Sequence, residues 1–465
     1  MGRRTLRPVG FALLLGALAA PAAGQGSSVY NQSGCVSAKA GAAVASPCAD
    51  ASSVYYNPAL ISMLPASASA GFTAVYNFGS FTYDTTGTVV DREVAVPVVP
   101  QAYAAFRFGA EKRLAAGIGL WAPYGLGIEW PESFEGRFIS WKTQLRGIYV
   151  QPTLAYEVVP GKLAVGGGVQ LVSGGIEINR NLDAPVENLT LASLGVPLET
   201  DFASAVLEGS GMGIGGQLAV YYQVTDRLAL GARYMLPVTV DLTGTADFEM
   251  ISNPDIILAL PPSLGGPTPM DSLVAPQFEA GGALADQDAE ASLTFPPQAV
   301  IGFRYEATDA LGLAFDYQWT GWSTFDELVA TFSGAAPELA LTLSYNDTHT
   351  LRSGLTYALS PMLEGRAGFI YNTAASPDQT VTPILPEAER QLYTVGFGYR
   401  MGPIQADLYY NFVNQADRRG RVRSALPGRD YTDPDAIIND LNVGVYSTTA
   451  HLVGLTLSYV FGDER

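Results

Sequence analysis

The stretch "RLALGARYMLPVTVDLTG", Arg227 to Gly244, alternates apolar and polar residues with a period of two. Leu228, Leu230, Ala232, Tyr234, Leu236, Val238, Val240 and Leu242 share one face, and Ala229, Gly231, Arg233, Thr239, Asp241 and Thr243 share the other. Period two marks an extended chain, whose successive side chains point to opposite sides. The pattern returns in "LGLAFDYQW" (Leu311, Leu313, Phe315, Tyr317, Trp319), in "YTVGFGYRM" (Tyr393, Val395, Phe397, Tyr399) and in "IQADLYYNF" (Ile404, Leu408, Tyr410, Phe412). In each, one face is apolar and ends in aromatic residues, while the other carries Gly, Thr, Asp, Gln or Arg.

A soluble sandwich would alternate too, and loop length separates the two readings. Strands fall near 67–82, 98–109, 112–124, 141–157, 162–178, 210–223, 227–248, 290–306, 310–332, 341–358, 361–373, 391–401, 403–414 and 444–461. Short turns at "GAEK", "VPGK", "VTDR", "EATD", "LSPM" and "RMGP" alternate with long links at 83–97, 125–140, 179–209, 249–289, 333–340, 374–390 and 415–443. An even strand number, with short turns on one side and long loops on the other, is the layout of a bacterial outer-membrane barrel. The expected fold is all-β, a fourteen-stranded antiparallel transmembrane β-barrel with both chain ends on the short-turn, periplasmic side.

The totals agree. Of 465 residues, 48% are hydrophobic and only 15% charged, yet beyond the first two dozen no apolar run is long enough for a membrane helix. The net charge of −18 argues against a nucleic-acid partner, which requires a basic surface. Arg3, Arg4 and Arg7 followed by "VGFALLLGALAAPAAG" form a signal peptide, 1–24, with Ala22 and Gly24 preceding a cut at Gln25. The mature chain is therefore exported. Its two cysteines, Cys35 and Cys48, are expected to form a disulfide closing a small loop, a cross-link contributing roughly 2–3 kcal/mol. Two free thiols or metal ligands are the alternatives.

Residues 25–66 do not alternate. They are rich in Ala, Gly and Ser and include "CADASSVYYNPALISML", Cys48 to Leu64. A barrel of fourteen strands, here 67–465, has a lumen too wide for its own wall side chains to fill. The leading segment is expected to be a compact hatch inserted from the periplasmic end, with a fixed turn at Asn57-Pro58-Ala59. A second proline, Pro123 in "GIGLWAPYGLGIEW", falls near the end of the third strand, where a ladder donor is needed. With Gly125 beside it, the strand is expected to break, so that two strands part and leave a sideways hole; the alternative is a plain strand-to-loop transition.

Other motifs carry less. "GMGIGG", Gly211 to Gly216, has a dinucleotide-binding spacing but leads into a strand rather than a helix. His349, near Asp347 and Ser353, raises a membrane-embedded hydrolase as a third reading; His451 falls in an interfacial position on the last strand. No cofactor is implied, and no metal-ligand spacing is present. The link 249–289 is acidic and includes the apolar patch "IILALPPSL", which would line a ligand entry, while the last loop carries Arg418, Arg419, Arg421, Arg423 and Arg429. Acids recruiting divalent cations and arginines meeting anionic headgroups would both suit outer-membrane lipids and lipopolysaccharide; solvated loop ends are the plain alternative.

Taken together, "DASSVYYNPA" (Asp50–Ala59), "APYGLGIEW" (Ala122–Trp130), "YMLPVTVDLTGTADF" (Tyr234–Phe248), "WTGWSTFDEL" (Trp319–Leu328) and "ILPEAERQLYTVGFGYR" (Ile384–Arg400) resemble the FadL/TodX-type outer-membrane transporters of hydrophobic compounds, over nearly the whole mature chain. The resemblance implies a passive, monomeric outer-membrane channel for hydrophobic small molecules such as long-chain fatty acids or hydrocarbons. It implies a hatch gate at Asn57, Pro58 and Ala59 and a lateral opening at the third-strand kink, Ala122, Pro123, Tyr124 and Gly125. The cysteine pair is not a general feature of that family. A general porin for small polar solutes is the alternative function.

Overall fold

The computed structural model describes residues 28–462 apart from 85, 95, 184–195, 198 and 421–442. The expected signal peptide, 1–24, and Arg421, Arg423 and Arg429 lie outside the described residues.

Fourteen antiparallel spans close into a barrel. They are β1 (Ser67–Tyr83), β2 (Val98–Phe108), β3 (Leu114–Glu129), β4 (Lys142–Val159), β5 (Leu163–Asp183), β6 (Asp201–Thr225), β7 (Leu228–Met235 with Val238–Met250), β8 (Gln287–Phe295 with Gln298–Glu306), β9 (Leu311–Thr320 with Glu327–Phe332), β10 (Leu339–Thr342 with Thr348–Ala358), β11 (Leu363–Asn372), β12 (Arg390–Met401), β13 (Ile404–Gln415) and β14 (Gly444–Val460). The ladder closes between β1 and β14, from Ser67↔Val460 to Tyr83↔Gly444. Closure removes the free sheet edge that hydrocarbon would penalise. Gly161 and Gly402 adopt positive φ, 66° and 58°, in two of the tight turns at the end where β1 begins.

Strand lengths differ from the sequence expectation on one side. β6 runs for 25 residues and begins at Asp201 instead of 210. At about 3.3 Å per residue it reaches about 80 Å, far beyond a hydrocarbon core of about 30 Å. On its outer face Leu218, Ile214 and Met212 are 66%, 73% and 68% exposed, and the next outward residues are Ser210 and Glu208. The upper part of β5–β8 therefore stands above the apolar belt as an extracellular wall.

The opening stretch needs one correction. Its eight apolar residues do not share a face, because β7 breaks at Leu236-Pro237. Below the break Leu230, Tyr234 and Leu236 face outward and Ala229, Arg233 and Met235 are buried; above it Val238, Val240 and Leu242 are the buried ones. Proline fixes φ and donates no ladder bond, so the chain resumes with its parity reversed. β8 does the same at Pro296-Pro297, where buried Leu293 and Phe295 give way to buried Gln298 and Val300. β3 does it at Ala122-Pro123: Ala115 and Trp121 are buried before it, Tyr124, Leu126 and Ile128 after it. These proline breaks on β3, β7 and β8 thus turn an apolar-out, polar-in wall into an apolar-in, polar-out one. The lower lumen is lined by Gln and Arg, and the upper lumen by aliphatic and aromatic side chains.

Residues 28–66 fill the lower lumen. Two short helices, Gly34–Ala38 and Ser53–Tyr56, and a 3-10 turn, Pro58–Ser62, are buried throughout. Cys35 and Cys48 are disulfide-bonded, with Cα atoms 6.3 Å apart. In the patch around Ile257–Leu258, Leu258 joins Leu182, Phe202, Met270 and Val274 in a small core that ties the acidic loop to β5 and β6.

Candidate functional site

The hatch is held by backbone recognition. Asp316 on β9 accepts hydrogen bonds from the amides of Ala43 and Val44 at 2.8 and 3.0 Å. From β4, Gln151 donates to the Val54 carbonyl at 3.0 Å, and from β6 and β7 Gln217 and Arg233 donate to the Tyr55 carbonyl at 2.6 and 3.0 Å. Such contact requires main chain to lie against main chain. A Cβ on Gly231 would stand 2.0 Å from the Val44 carbonyl oxygen, and one on Gly166 2.6 Å from the Ala59 nitrogen. These two glycines are therefore part of the seat.

Asn57, Pro58 and Ala59 form the fastening between the halves of the hatch. The residue before a proline is pushed to extended geometry, and Asn57 has φ −162° and ψ 94°. Its side-chain oxygen accepts from the Ala59 amide at 3.1 Å, while its nitrogen donates to the Val44 carbonyl at 2.5 Å and to Val220 on β6 at 3.2 Å. Asp50, at the head of the same motif, accepts from the Ser33 hydroxyl and from the Ser52 amide at 3.1 Å. Burial pulls the pKa of Lys39 down to about 8, and the Arg366 guanidinium adds to the lowering. Its Nζ donates to the Ser46 carbonyl at 2.5 Å.

The wall changes at Ala122, Pro123, Tyr124 and Gly125. The β2–β3 ladder ends at Ala102↔Leu120, so beyond Leu120 β3 has β4 alone as a strand partner. On the β4 side, Trp121↔Tyr149 is followed by Tyr124↔Gly147, which leaves one extra residue on β3, a bulge. β3 does not end there, as a plain strand-to-loop transition would have it, but continues to Glu129. The freed backbone at 122–124 meets the leading residues of the hatch. Tyr124 crosses to the broken strand β8, donating to the Pro296 carbonyl at 2.9 Å and accepting from Gln298 at 2.9 Å.

Above this spar lie two adjoining apolar clefts, each with a cavity volume of about 40 Å³, which share Ile176, Ile178, Leu328 and Leu341. The lower is floored by Trp322 and flanked by Leu126, Phe325 and Tyr345. Their lining is almost wholly aliphatic and aromatic; among the described residues the charged residues at its edge are Glu208 and Glu290. From the floor a chain of buried rings leads downward: Trp322 to Tyr124 at 5.9 Å, Tyr124 to Tyr149 at 6.1 Å, Tyr149 to Trp121 at 6.2 Å, and Trp121 to Tyr55 of the hatch at 5.3 Å. Lining of this polarity suits an apolar molecule, which the surrounding side chains must part to admit.

The histidines take no part. His349 faces outward with Nδ1 2.7 Å from the Tyr317 hydroxyl, and Ser353 stands four residues along the same outward face, about 13 Å away by strand rise. Asp347 accepts from Trp319 Nε1 and from the Ser323 amide instead. His451 sits outside against Tyr410, Phe412 and Phe78 in the aromatic girdle. Sequence reasoning missed the ring chain, whose members come from β3, β4, the 3-10 turn that interrupts β9 and the hatch. The prolines that reverse the strands were the signal available.

Residues 13–461 match the model of the family described as "Outer membrane protein transport protein (OMPP1/FadL/TodX)". The chain is 25% identical over 382 residues to outer membrane protein P1 of Haemophilus influenzae, covering 78% of this chain and 75% of that protein. A Pseudomonas aeruginosa FadL homologue superimposes with a TM-score of 0.77 at 18% identity, over 94% of this chain and all of that one. The Pseudomonas putida toluene transporter TodX gives a TM-score of 0.68 at 17% identity, over 96% of this chain and 100% of that one.

Proposed function

Because this chain belongs to the OMPP1/FadL/TodX family of outer-membrane proteins that transport hydrophobic compounds, we propose that it is a passive channel delivering uncharged apolar molecules sideways into the membrane at the β3 kink. One observation carries the reading: Trp322, in the lining of the lower cavity, packs at 5.9 Å against Tyr124, the residue at the bulge in the wall. Cargo enters from outside and loses its hydration in the upper lumen. It then moves past the Tyr124 ring toward Ala122, Pro123 and Gly125, where the β2–β3 ladder is absent. Apolar burial at about 25 cal/mol per Å² draws it in, and exchange into lipid releases it at little cost. No energy source is needed.

The hatch blocks the straight route, which is why a general porin is disfavoured, and Asn57, Pro58 and Ala59 are its gate, whose fastening must loosen before anything passes downward. The cavity lining also favours hydrocarbons over ionised fatty acids, since a buried carboxylate without a cation carries a large desolvation cost. The test is Ala122→Arg, which sets a charge in the proposed exit, measured as uptake of a radiolabelled hydrocarbon into proteoliposomes. Loss of uptake with the cavity still binding ligand supports the route; unchanged uptake sinks it.

A further inference from the structure

We propose that a polar cavity on the outer face of the barrel, centred on Gly175 of β5, is a headgroup site for a zwitterionic phospholipid, with Arg146 taking the phosphate and Glu208 the ammonium.

The cavity follows from the ladder. Arg146 on β4 pairs with Gly175 on β5, Gly175 with Ser210 on β6, Ser210 with Thr243 on β7 and Thr243 with Glu290 on β8. These positions point outward, and Arg146, Ser210, Thr243 and Glu290 are exposed. Gly175 has no side chain, and Ser210 and Thr243 have short ones, so the row sinks in the middle. A cavity of about 180 Å³ results, with Arg146 and Glu208 in its lining. The Arg146 side chain leans over the glycine: a Cβ on Gly175 would stand 3.0 Å from its Nε.

Charge is divided across this cavity. Lys142 and Arg146 lie on the β4 side, and Glu208, Asp241 and Glu290 on the side of β6, β7 and β8. Lys142 is neutralised by Glu177 at 2.9 Å. Among the described residues, the Arg146 guanidinium and the Glu208 carboxylate have no hydrogen bond or ion pair. They come from strands two apart, about 10 Å across the sheet, so one small group lying over Gly175 reaches both. A bare phosphate would face the carboxylates, and a bare amine the guanidinium. A headgroup with phosphate and primary ammonium two carbons apart meets each with its opposite. The planar fork of Arg146 suits phosphate oxygens, the Ser210 and Thr243 hydroxyls can donate to them, and the ammonium supplies N–H to Glu208.

Height selects a lipid over a soluble molecule. Met212 lies one row below Ser210 on β6, about 7 Å lower, and Ile214 lies below it; both are exposed members of the apolar belt. On β5 the outward residues below Gly175 include exposed Leu171 and Val169. A headgroup held at Gly175 therefore sits at the boundary of the hydrocarbon with its acyl chains against these residues, where apolar burial adds to the polar contacts.

The test is lipid binding by the full chain in detergent micelles, read by native mass spectrometry. The probes are didecanoyl phosphatidylethanolamine, didecanoyl phosphatidylglycerol, which lacks the ammonium, and free O-phosphoethanolamine, which lacks the chains. The ethanolamine lipid should bind about tenfold more tightly than the glycerol lipid, the scale of one charge-assisted contact, and the free compound should not displace it at equal concentration. Arg146→Gln and Glu208→Gln should each weaken the ethanolamine lipid about tenfold, and only Glu208→Gln should erase its lead over the glycerol lipid. Gly175→Val fills the cavity while keeping both charges and should weaken binding likewise. Heat-modified gel mobility checks that each variant remains a barrel, and the three substitutions fail or fold independently. Equal binding of the two lipids, or unchanged binding in every folded variant, overturns the proposal. Tight binding of the glycerol lipid with magnesium present would mark a cation-bridged anion site and overturn it too; displacement by the free compound would remove the lipid as occupant.

Discussion

Replacing Asp316 by alanine should unseat the hatch without disturbing the barrel. One oxygen of this carboxylate accepts from two successive hatch amides, Ala43 and Val44, both buried. Hydrogen bonds to a charged group contribute about 1.5–3 kcal/mol each, so Asp316→Ala removes about 3–6 kcal/mol from the seated state. At about 1.4 kcal/mol per factor of ten, the unseated population rises at least about a hundredfold. Asp316→Asn is the informative partner. Its carbonyl oxygen can occupy the same place and accept both amides, losing only the charge assistance, about half the strength. Single-channel recording in planar bilayers reads the difference: frequent large openings in Asp316→Ala, few in Asp316→Asn and fewest in the unaltered chain. Faster reduction of the Cys35–Cys48 bridge should follow the same order. If Asp316→Ala stays closed, with the bridge as protected as before, the hatch is not held by backbone recognition and the reasoning fails.

Two further outcomes follow. Lys39 has its pKa pulled from 10.5 to about 8 by burial in the seated hatch, so between those values the released hatch binds a proton that the seated one does not. Seating should strengthen as pH rises through that window, seen as fewer openings, and Lys39→Met should abolish the dependence. Dodecanoic acid should bind several hundredfold more weakly than its methyl ester at pH 7, because neutralising a carboxyl with pKa of about 4.3 over about 2.7 units costs about 3.7 kcal/mol. Its affinity should gain about tenfold per unit as the pH falls to 5 while that of the ester stays flat; equal affinities at pH 7 would show that the cavities accept a charged head.

The barrel was legible because the wall between lipid and lumen imposes one rule on every strand, and period two survives in any single sequence. What period counting concealed was parity. Leu228 to Leu242 read as one unbroken face, yet Pro237 splits it between lipid and lumen. The proline was visible; its effect on the residues after it depends on the ladder to β6 and β8, which a lone strand does not reveal. Pro123 was legible as a break, whereas the continuation of β3 to Glu129 depends on the pairing of Tyr124 with Gly147. The motif at Asn57-Pro58-Ala59 stood out because proline geometry is local. Arg146 and Glu208 carried no signal, since charges in the upper part of a strand look like solvent-facing sequence until the ladder sets them on either side of Gly175.

The most direct test of lateral delivery is deletion of Pro123 alone. β3 has one residue more than β4 between Trp121↔Tyr149 and Tyr124↔Gly147, so the deletion restores a regular register and lets the β2–β3 ladder extend beyond Leu120. Ligand binding in the upper cavities and hydrocarbon uptake are then measured on the same proteoliposomes. Retained binding with uptake abolished is the expected result; uptake at the original rate through a straightened β3 would contradict it.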